Sequence, residues 1–322
     1  MDFNVIGVGE VLWDLLPGGP QLGGAPANFA YHAHALGARV RVITRIGNDD
    51  YGREIVRRFR EIGLPDSTVQ VDETTPTGTA TVTLEDDRLA HFSIQEDVAW
   101  DHIAATAEAI TLAHAADAIC FGTLAQRTAS ARDAIQQIVA ATPRDALRVF
   151  DINLRQQFYS REVIESSLVL ANILKLNDDE LPTLAAMFKL AGATRDQMEQ
   201  LARMFRLQLV ALTRGSNGSL LYQHSNEIGH LYDGGASGGR YPRETRDRSS
   251  WSDCESRPLK VVDTVGAGDS FTAALVLGLL QQMDLNEVNI LANDVARYVC
   301  SQPGATPILP VEFARRLVTK SQ

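Results

Sequence analysis

The sequence predicts an α/β domain, with a mostly parallel sheet covered by helices on both faces. Three observations carry that expectation. Short apolar runs of strand length, such as "DAICFGTL" (117–124) and "LRVFDINL" (147–154), alternate with longer stretches of helical spacing, such as "SARDAIQQIVAAT" (130–142). A glycine-broken apolar run, "NVIGVGEVL" (4–12), opens the chain as a buried first strand. Finally, 322 residues at 45% hydrophobic and 22% charged form an ordinary globular composition. A chain of that size buries about three quarters of its unfolded surface, enough for one large core.

The elements follow in order. "PANFAYHAHALGA" (26–38) has helical spacing and stops at Gly37, and "RVRVITRIG" (39–47) reads as the next strand. "YGREIVRRFREIG" (51–63) is an amphipathic helix ending at Gly63. "TGTATVTLEDDRLAHFSI" (77–94) alternates around a turn-like "EDD" and predicts a β-hairpin. Strand and helix then alternate: helix 161–172, strand 173–177, helix 195–206, strand 207–215, and a helix through "TAALVLGLL" (272–280). There is no internal repeat. Residues 233–258, rich in Gly, Ser and Arg, break the pattern and read as a mobile surface insertion, a solvated loop rather than an anion-binding arm.

Composition narrows the partners. A formal net charge of −10 argues against a nucleic-acid or anionic-membrane surface, while leaving room for a small basic pocket. Cys120, Cys254 and Cys300 are odd in number and widely spaced, so they predict neither a disulfide framework nor a zinc site. A reducing cytoplasm is the expected compartment. The start "MDFNVIGVGEVLWDLLP" lacks the basic and apolar regions of a signal peptide, and no run approaches ~18 apolar residues.

Two stretches carry chemistry. In "DTVGAGDSF" (263–271) glycines lead straight into a helix, whose first turn leaves backbone N–H groups unpaired. This is either a tight turn of small residues or an anion site. Asp269 within it is either a favourable charge at a helix start or an acceptor for a hydroxyl proton during phosphoryl transfer. In "GGAPANFA" (23–30) Gly23 and Gly24 permit close backbone approach, Pro26 stiffens the helix entry, and Asn28 offers an amide from the first turn. A capped helix after a loop would look the same. Asp14 follows the first strand, where parallel sheets place ligand groups, although an isolated aspartate there is also an ordinary surface carboxylate. His32 and His34 lie two apart on one helix, share no face, and read as structural.

Together "GGAPANFA", running on through Gly37 to Gly47, and "DTVGAGDSFTAA" resemble the two motifs of the ribokinase-like carbohydrate kinases, the PfkB family. The resemblance extends from "GEVLWD" to "CSQPGATP" and leaves out mainly 233–258. It implies a three-layer α/β/α sandwich over the single domain 1–322. A small β-sheet lid would come from about 11–22 and 77–97. It implies ATP and Mg²⁺ as cofactors, with K⁺ or another monovalent cation as a further one. Sugar and ATP are the implied small-molecule partners, with a homodimer through the lid. By the same resemblance Asp269 is the catalytic base and Gly266, Ala267 and Gly268 form the anion hole, with Arg155 near the transferred phosphate or else in a surface ion pair. Asp14, Gly24 and Asn28 match the sugar-contacting positions. Asn177 and Glu180 in "KLNDDE" match the family's N-x-x-E pattern, with Glu180 linked to Mg²⁺ through water. Thr213, Gly215 and Gly218 in "TRGSNG" match the nucleotide-side loop, and Asn293 the adenine pocket. Asp263 matches an aspartate of the monovalent-cation site.

The sugar is less directly written. "GEVLWD", "GGAPANFA" and "PTGTATVTL" resemble the fructokinase branch, which predicts transfer to the 6-hydroxyl of fructose. Many fructokinases carry a basic residue after the second lid strand, whereas this chain has Gln95, Glu96 and Asp97 there. Another ketose, ribose or a keto-deoxy sugar acid therefore stand behind fructose. A dinucleotide-binding oxidoreductase fails on spacing, because Leu12 stands where the third glycine after Gly7 and Gly9 belongs. A relative that binds sugar or nucleotide without turnover is the third class, and the intact "GAGD" speaks against it.

Overall fold

The chain is described over residues 2–84, 90–224 and 249–318 in a computed structural model. The first strand, β1 (Asn4–Val8), lies in the middle of the large sheet. Gly9 then takes φ 144° and sends its N–H to the Ile43 carbonyl, turning the chain out of that sheet. The strand expected to run to Leu12 therefore ends at Val8. Leu12 instead opens a second, smaller sheet through the hairpin β2 (Leu12–Leu16) and β3 (Gly19–Gly23).

Helix α1 (Ala25–Ala35) carries Pro26 in its first turn, where a missing N–H costs nothing, and is buried from Pro26 to Ala33. Next come β4 (Arg39–Gly47) and α2 (Asp50–Glu61), the latter capped by Asp49, which accepts the Gly52 N–H at 2.7 Å. The short edge strand β5 (Val69–Asp72) was not foreseen. β6 (Thr79–Leu84) and β7 (Ala90–Ile94) pair antiparallel as the alternation predicts, while the "EDD" turn lies outside the described residues. β2 pairs parallel with β6, so the smaller sheet has the order β3-β2-β6-β7.

The second half alternates as expected: α3 (Ala107–His114), β8 (Ala118–Phe121), α4 (Ala129–Ala140), β9 (Leu147–Asp151), α5 (Arg161–Leu170) and β10 (Ile173–Asn177). Then follow α6 (Leu181–Phe188), α7 (Thr194–Phe205), β11 (Leu209–Thr213), β12 (Ser219–Gln223) and β13 (Ser250–Cys254). The chain closes with α8 (Ala267–Leu280), α9 (Leu285–Cys300) and α10 (Val311–Val318). The large sheet has the order β13-β12-β11-β10-β9-β8-β1-β4-β5, parallel except for β12 and β13 at one edge. β13 lies inside the stretch read as an insertion: residues 250–254 pair with β12 throughout, and 233–248 lie outside the described residues.

Along β8 the side chains alternate between two cores. Ile119 and Phe121 join Phe150, Ile135 and Leu201 on one face, while Ala118 and Cys120 join Phe29, Phe59 and Leu275 on the other. A strand covered on both faces has no polar side, which is why these strands read as unbroken apolar runs. The result is a three-layer α/β/α sandwich. Among the described residues no helix is long and apolar enough to cross a membrane, and the three cysteines are free.

Candidate active site

β1 and β8 are neighbours whose chains leave in opposite directions across the sheet, the point where open α/β sheets leave a crevice at their carboxyl ends. A cleft of about 1190 Å³ lies there, between those strand ends, the smaller sheet and the start of α8. Every site residue named from the sequence lines it except Glu180.

The α8 N-terminus forms one wall. Gly266 caps it at φ 77°, and a Cβ built there would stand 2.3 Å from the Ala305 carbonyl oxygen. Only glycine fits. That carbonyl is held in turn by His32, whose Nε2 lies 2.9 Å away, and burial pushes the His32 pKa down to about 4. The neutral histidine is a structural tie between α1 and this loop. Among the described residues the N–H groups of Gly268 and Asp269 have no acceptor, so they are free to face an anion.

Asp269 connects this wall to the other motif. Its Oδ2 accepts the Asn28 amide N–H at 2.9 Å, across 241 positions of sequence. Burial, and after it the charge of Asp151, lift the Asp269 pKa to about 6, against the pull of Asn28, Lys175 and Arg155. Asn28→Ala removes a charge-assisted bond that favours the carboxylate, so the acid limb of the rate profile should move to higher pH. Activity at pH 6 should fall roughly tenfold more than at pH 8, as a pH–rate profile would read. An equal loss at both values would contradict the coupling.

Asp14 projects from β2 opposite Gln21, and a Cβ on Gly23 would meet its carboxylate at 2.5 Å. Gly24, at φ 113°, lies against the Glu10 carbonyl. Burial raises the Asp14 pKa, and Arg155 lowers it. Arg155 follows β9 on an exposed loop where Asn153 and Gln156 both hold positive φ, a strained backbone of the kind that clusters at functional sites.

The remaining named residues are partly committed to the protein. Glu180 is buried and accepts the N–H groups of Leu154 and Asn177, each at 2.8 Å, fastening the loops after β9 and β10 together. Asn177 caps the same turn, accepting from Asp179 and Glu180. Thr213 ends β11, and Gly218, at φ 84°, passes so close to the Cys254 carbonyl that a Cβ would stand 1.9 Å away. The Asn293 amide donates to Asn289 and to Ser219 inside a buried polar cluster. Asp263 accepts N–H groups from Val265 and Gly304, each at 3.0 Å, which fixes the loop ahead of α8.

Sequence reasoning passed over three groups. Glu10 is buried on the cleft wall with Oε2 unpartnered among the described residues, and burial pushes its pKa up to about 7. Lys175 and Asp151 form an ion pair at 3.0 Å beneath α8. Their signal was present: "ILKLN" and "RVFDI" each place a charge in a strand that is otherwise apolar.

A helix start with free N–H groups, a half-buried carboxylate of raised pKa beside it, and a polar crevice with glycine-only backbone describe a phosphotransferase acting on a hydroxylated substrate. The chain belongs to the pfkB family of carbohydrate kinases, whose profile matches residues 20–233 and 246–312. The unmatched residues, 234–245, fall inside the stretch read as an insertion and lie outside the described residues. Fructokinase-1 of Oryza sativa subsp. japonica is 26% identical over 336 residues, covering 96% of this chain and 95% of its own. The fold is shared with a fructokinase from Vibrio cholerae O395 bound to fructose, ADP and calcium (TM-score 0.75, 21% identity, 98% of this chain, 99% of that one). It is shared also with an E. coli protein described as a ribokinase II, in complex with ATP and Mg²⁺ (TM-score 0.76, 19% identity, 99% of this chain, 100% of that one).

Proposed function

We propose that the protein transfers the γ-phosphoryl group of ATP to a sugar hydroxyl, with the 6-hydroxyl of fructose as the acceptor. The observation that carries this reading is the Asn28–Asp269 hydrogen bond, which puts a sugar-side amide and a base of raised pKa at the mouth of a helix N-terminus. Asp269 takes the hydroxyl proton as the sugar oxygen forms its bond to phosphorus and the bond to the ADP oxygen breaks. The proton then leaves from Asp269 to solvent. The N–H groups at the α8 start stabilise charge on the phosphoryl oxygens, and Asp14, Gly24 and Asn28 orient the sugar. Arg155 supplies positive charge to the same space.

Mg²⁺ fits the phosphate end as a lightly held ion. Asp178 and Asp179 line the cleft there, and among the described residues no cluster of three or more acidic, His or Cys groups forms a cage. When bound, it neutralises phosphate charge while keeping much of its water. Both Asp263 oxygens already accept N–H groups, so K⁺ dependence is read from the assay rather than from this geometry. The ATP requirement and three free cysteines support a cytoplasmic setting. The outer side of β3, unpaired among the described residues, is the edge through which a second copy would dock, a homodimer that sedimentation checks.

A keto-deoxy sugar acid is disfavoured by Glu10, Asp14 and Asp269, which face the sugar end with Arg155 as their counter-charge. A ketose other than fructose, or ribose, is the second reading, favoured by Gln95, Glu96 and Asp97 where a basic contact was sought. Initial rates across a sugar panel with ATP and Mg²⁺, with and without K⁺, decide between them. Fructose should give the highest kcat/KM; a higher value for ribose would overturn the fructose assignment. Sugar should also slow hydrogen exchange over 79–84 and 90–94, the strands that face the cleft through Ala80 and Ile94. Unchanged exchange at saturating sugar would remove the lid role.

A further inference from the structure

The centre of β10 contains a residue that the fold would not choose for stability. Lys175 sits between Leu174 and Leu176, both fully buried, and its own side chain is only 8% exposed. Taking an ammonium out of water costs several kcal/mol unless partners compensate. One partner is present: Nζ donates to Asp151 Oδ1 at 3.0 Å. An ammonium has three protons, and no second acceptor is found among the described residues.

The position of Nζ is more telling than its burial. A Cβ built on Gly268 would stand 2.9 Å from it, so the ammonium lies directly against a residue of the anion hole whose N–H is free. Lys175 also lines the cleft. Asp151 is anchored on its far side, where Oδ2 lies 3.0 Å from Thr272 Oγ1, one turn into α8. The same hydroxyl lies 3.0 Å from the Gly268 carbonyl. Strand, carboxylate and helix thus clamp the ammonium at one spot, with its unused protons on the cleft side.

We propose that Lys175 is a further catalytic residue: its ammonium forms the floor of the anion hole and contacts the transferred phosphoryl group. This rests on the phosphotransfer reading above. The backbone N–H groups of α8 are partial charges, whereas Lys175 brings a full one in a site of low dielectric. It also accounts for glycine at 268, since any side chain would separate the ammonium from the phosphate. The alternative is that Lys175 only neutralises Asp151, in which case removing both charges together should leave catalysis intact.

Two variants test this on the full-length protein, with whichever sugar gives the highest wild-type turnover. Lys175→Gln keeps a donor toward Asp151 without the charge, and Lys175→Met with Asp151→Asn removes both charges. In each, kcat should fall about 100-fold while the KM for sugar moves less than about threefold. Binding of ADP with aluminium fluoride, a mimic of the transferring phosphoryl group, should weaken about 100-fold, and that of ADP alone less than about threefold. A loss of tenfold or more in kcat and in the aluminium fluoride complex supports the assignment. A smaller loss in either variant that folds overturns it. Failure of the wild type on every sugar would instead defeat the phosphotransfer reading itself.

Discussion

Asp269→Asn is expected to lower kcat by ~10³-fold while raising the melting temperature at pH 8. The first half follows from the base: general-base groups contribute roughly 10²–10⁴, and an amide cannot take the hydroxyl proton. The second half follows from linkage. The ordinary aspartate pKa of 3.8 rises to about 6 in the folded protein, chiefly through burial. A raised carboxylate pKa contributes stability that is fully present below 3.8 and lost as pH rises through about 6. Above that range the ionised group opposes folding. The penalty is on the order of 2 kcal/mol once the water of the open cleft is allowed for. The asparagine variant escapes this penalty, and its stability advantage should shrink toward pH 4. Paired melts at pH 4 and 8, with kcat at pH 8, check both halves. An active variant would remove Asp269 from the reaction, and an unchanged melt would show that its carboxylate is not strained by burial. For the wild type, kcat/KM should decline below about pH 6 as Asp269 becomes protonated.

Gly266→Ala is the second large effect, and it acts through backbone rather than charge. The residue holds φ 77°, and the new methyl would be placed 2.3 Å from the Ala305 carbonyl. That carbonyl cannot simply retreat, because His32 grips it from α1. The α8 start must therefore shift, carrying the N–H groups of Gly268 and Asp269 out of register with the phosphoryl group. Losing such donors costs roughly 10²–10³ in kcat, and the strained backbone adds a stability cost of about 1–3 kcal/mol. Steady-state kinetics beside a thermal melt measure the two together. Wild-type kcat in this variant would contradict an anion hole built on these N–H groups.

These expectations show where sequence was informative. The alternation of apolar runs and helical spacing announced the parallel sheet, because strands covered on both faces lose the polar beat that would mark an exposed side. It misplaced the first corner. "GVGEVL" reads as one apolar run interrupted only by Glu10, and only the φ of Gly9 reveals that Leu12 belongs to another sheet. β13 was missed for the opposite reason, since "SWSDC" is an edge strand of mixed polarity beside a Gly-, Ser- and Arg-rich stretch.

The site was legible wherever chemistry needs a fixed local pattern. Glycines and a helix start are local, so "GAGD" could be singled out as a tight turn or an anion site and "GGAPAN" as a loop entering a helix, and the resemblance of the two together chose between the alternatives. Groups whose role depends on packing were not legible. Glu180 matches a phosphate-side motif, yet its carboxylate fastens two loops from behind the cleft wall. Lys175 belongs to an apolar strand, and only the crossing of β9, β10 and α8 places its ammonium under Gly268.

The central claim is that phosphoryl leaves ATP for a sugar hydroxyl rather than for water. Phosphorus NMR of the wild-type protein with ATP, Mg²⁺ and fructose tests it most directly. A sugar phosphomonoester resonance growing one-for-one with ADP is the predicted result. ADP accompanied by inorganic phosphate, or ATP left unconsumed with fructose and every other sugar of the panel, would contradict the account.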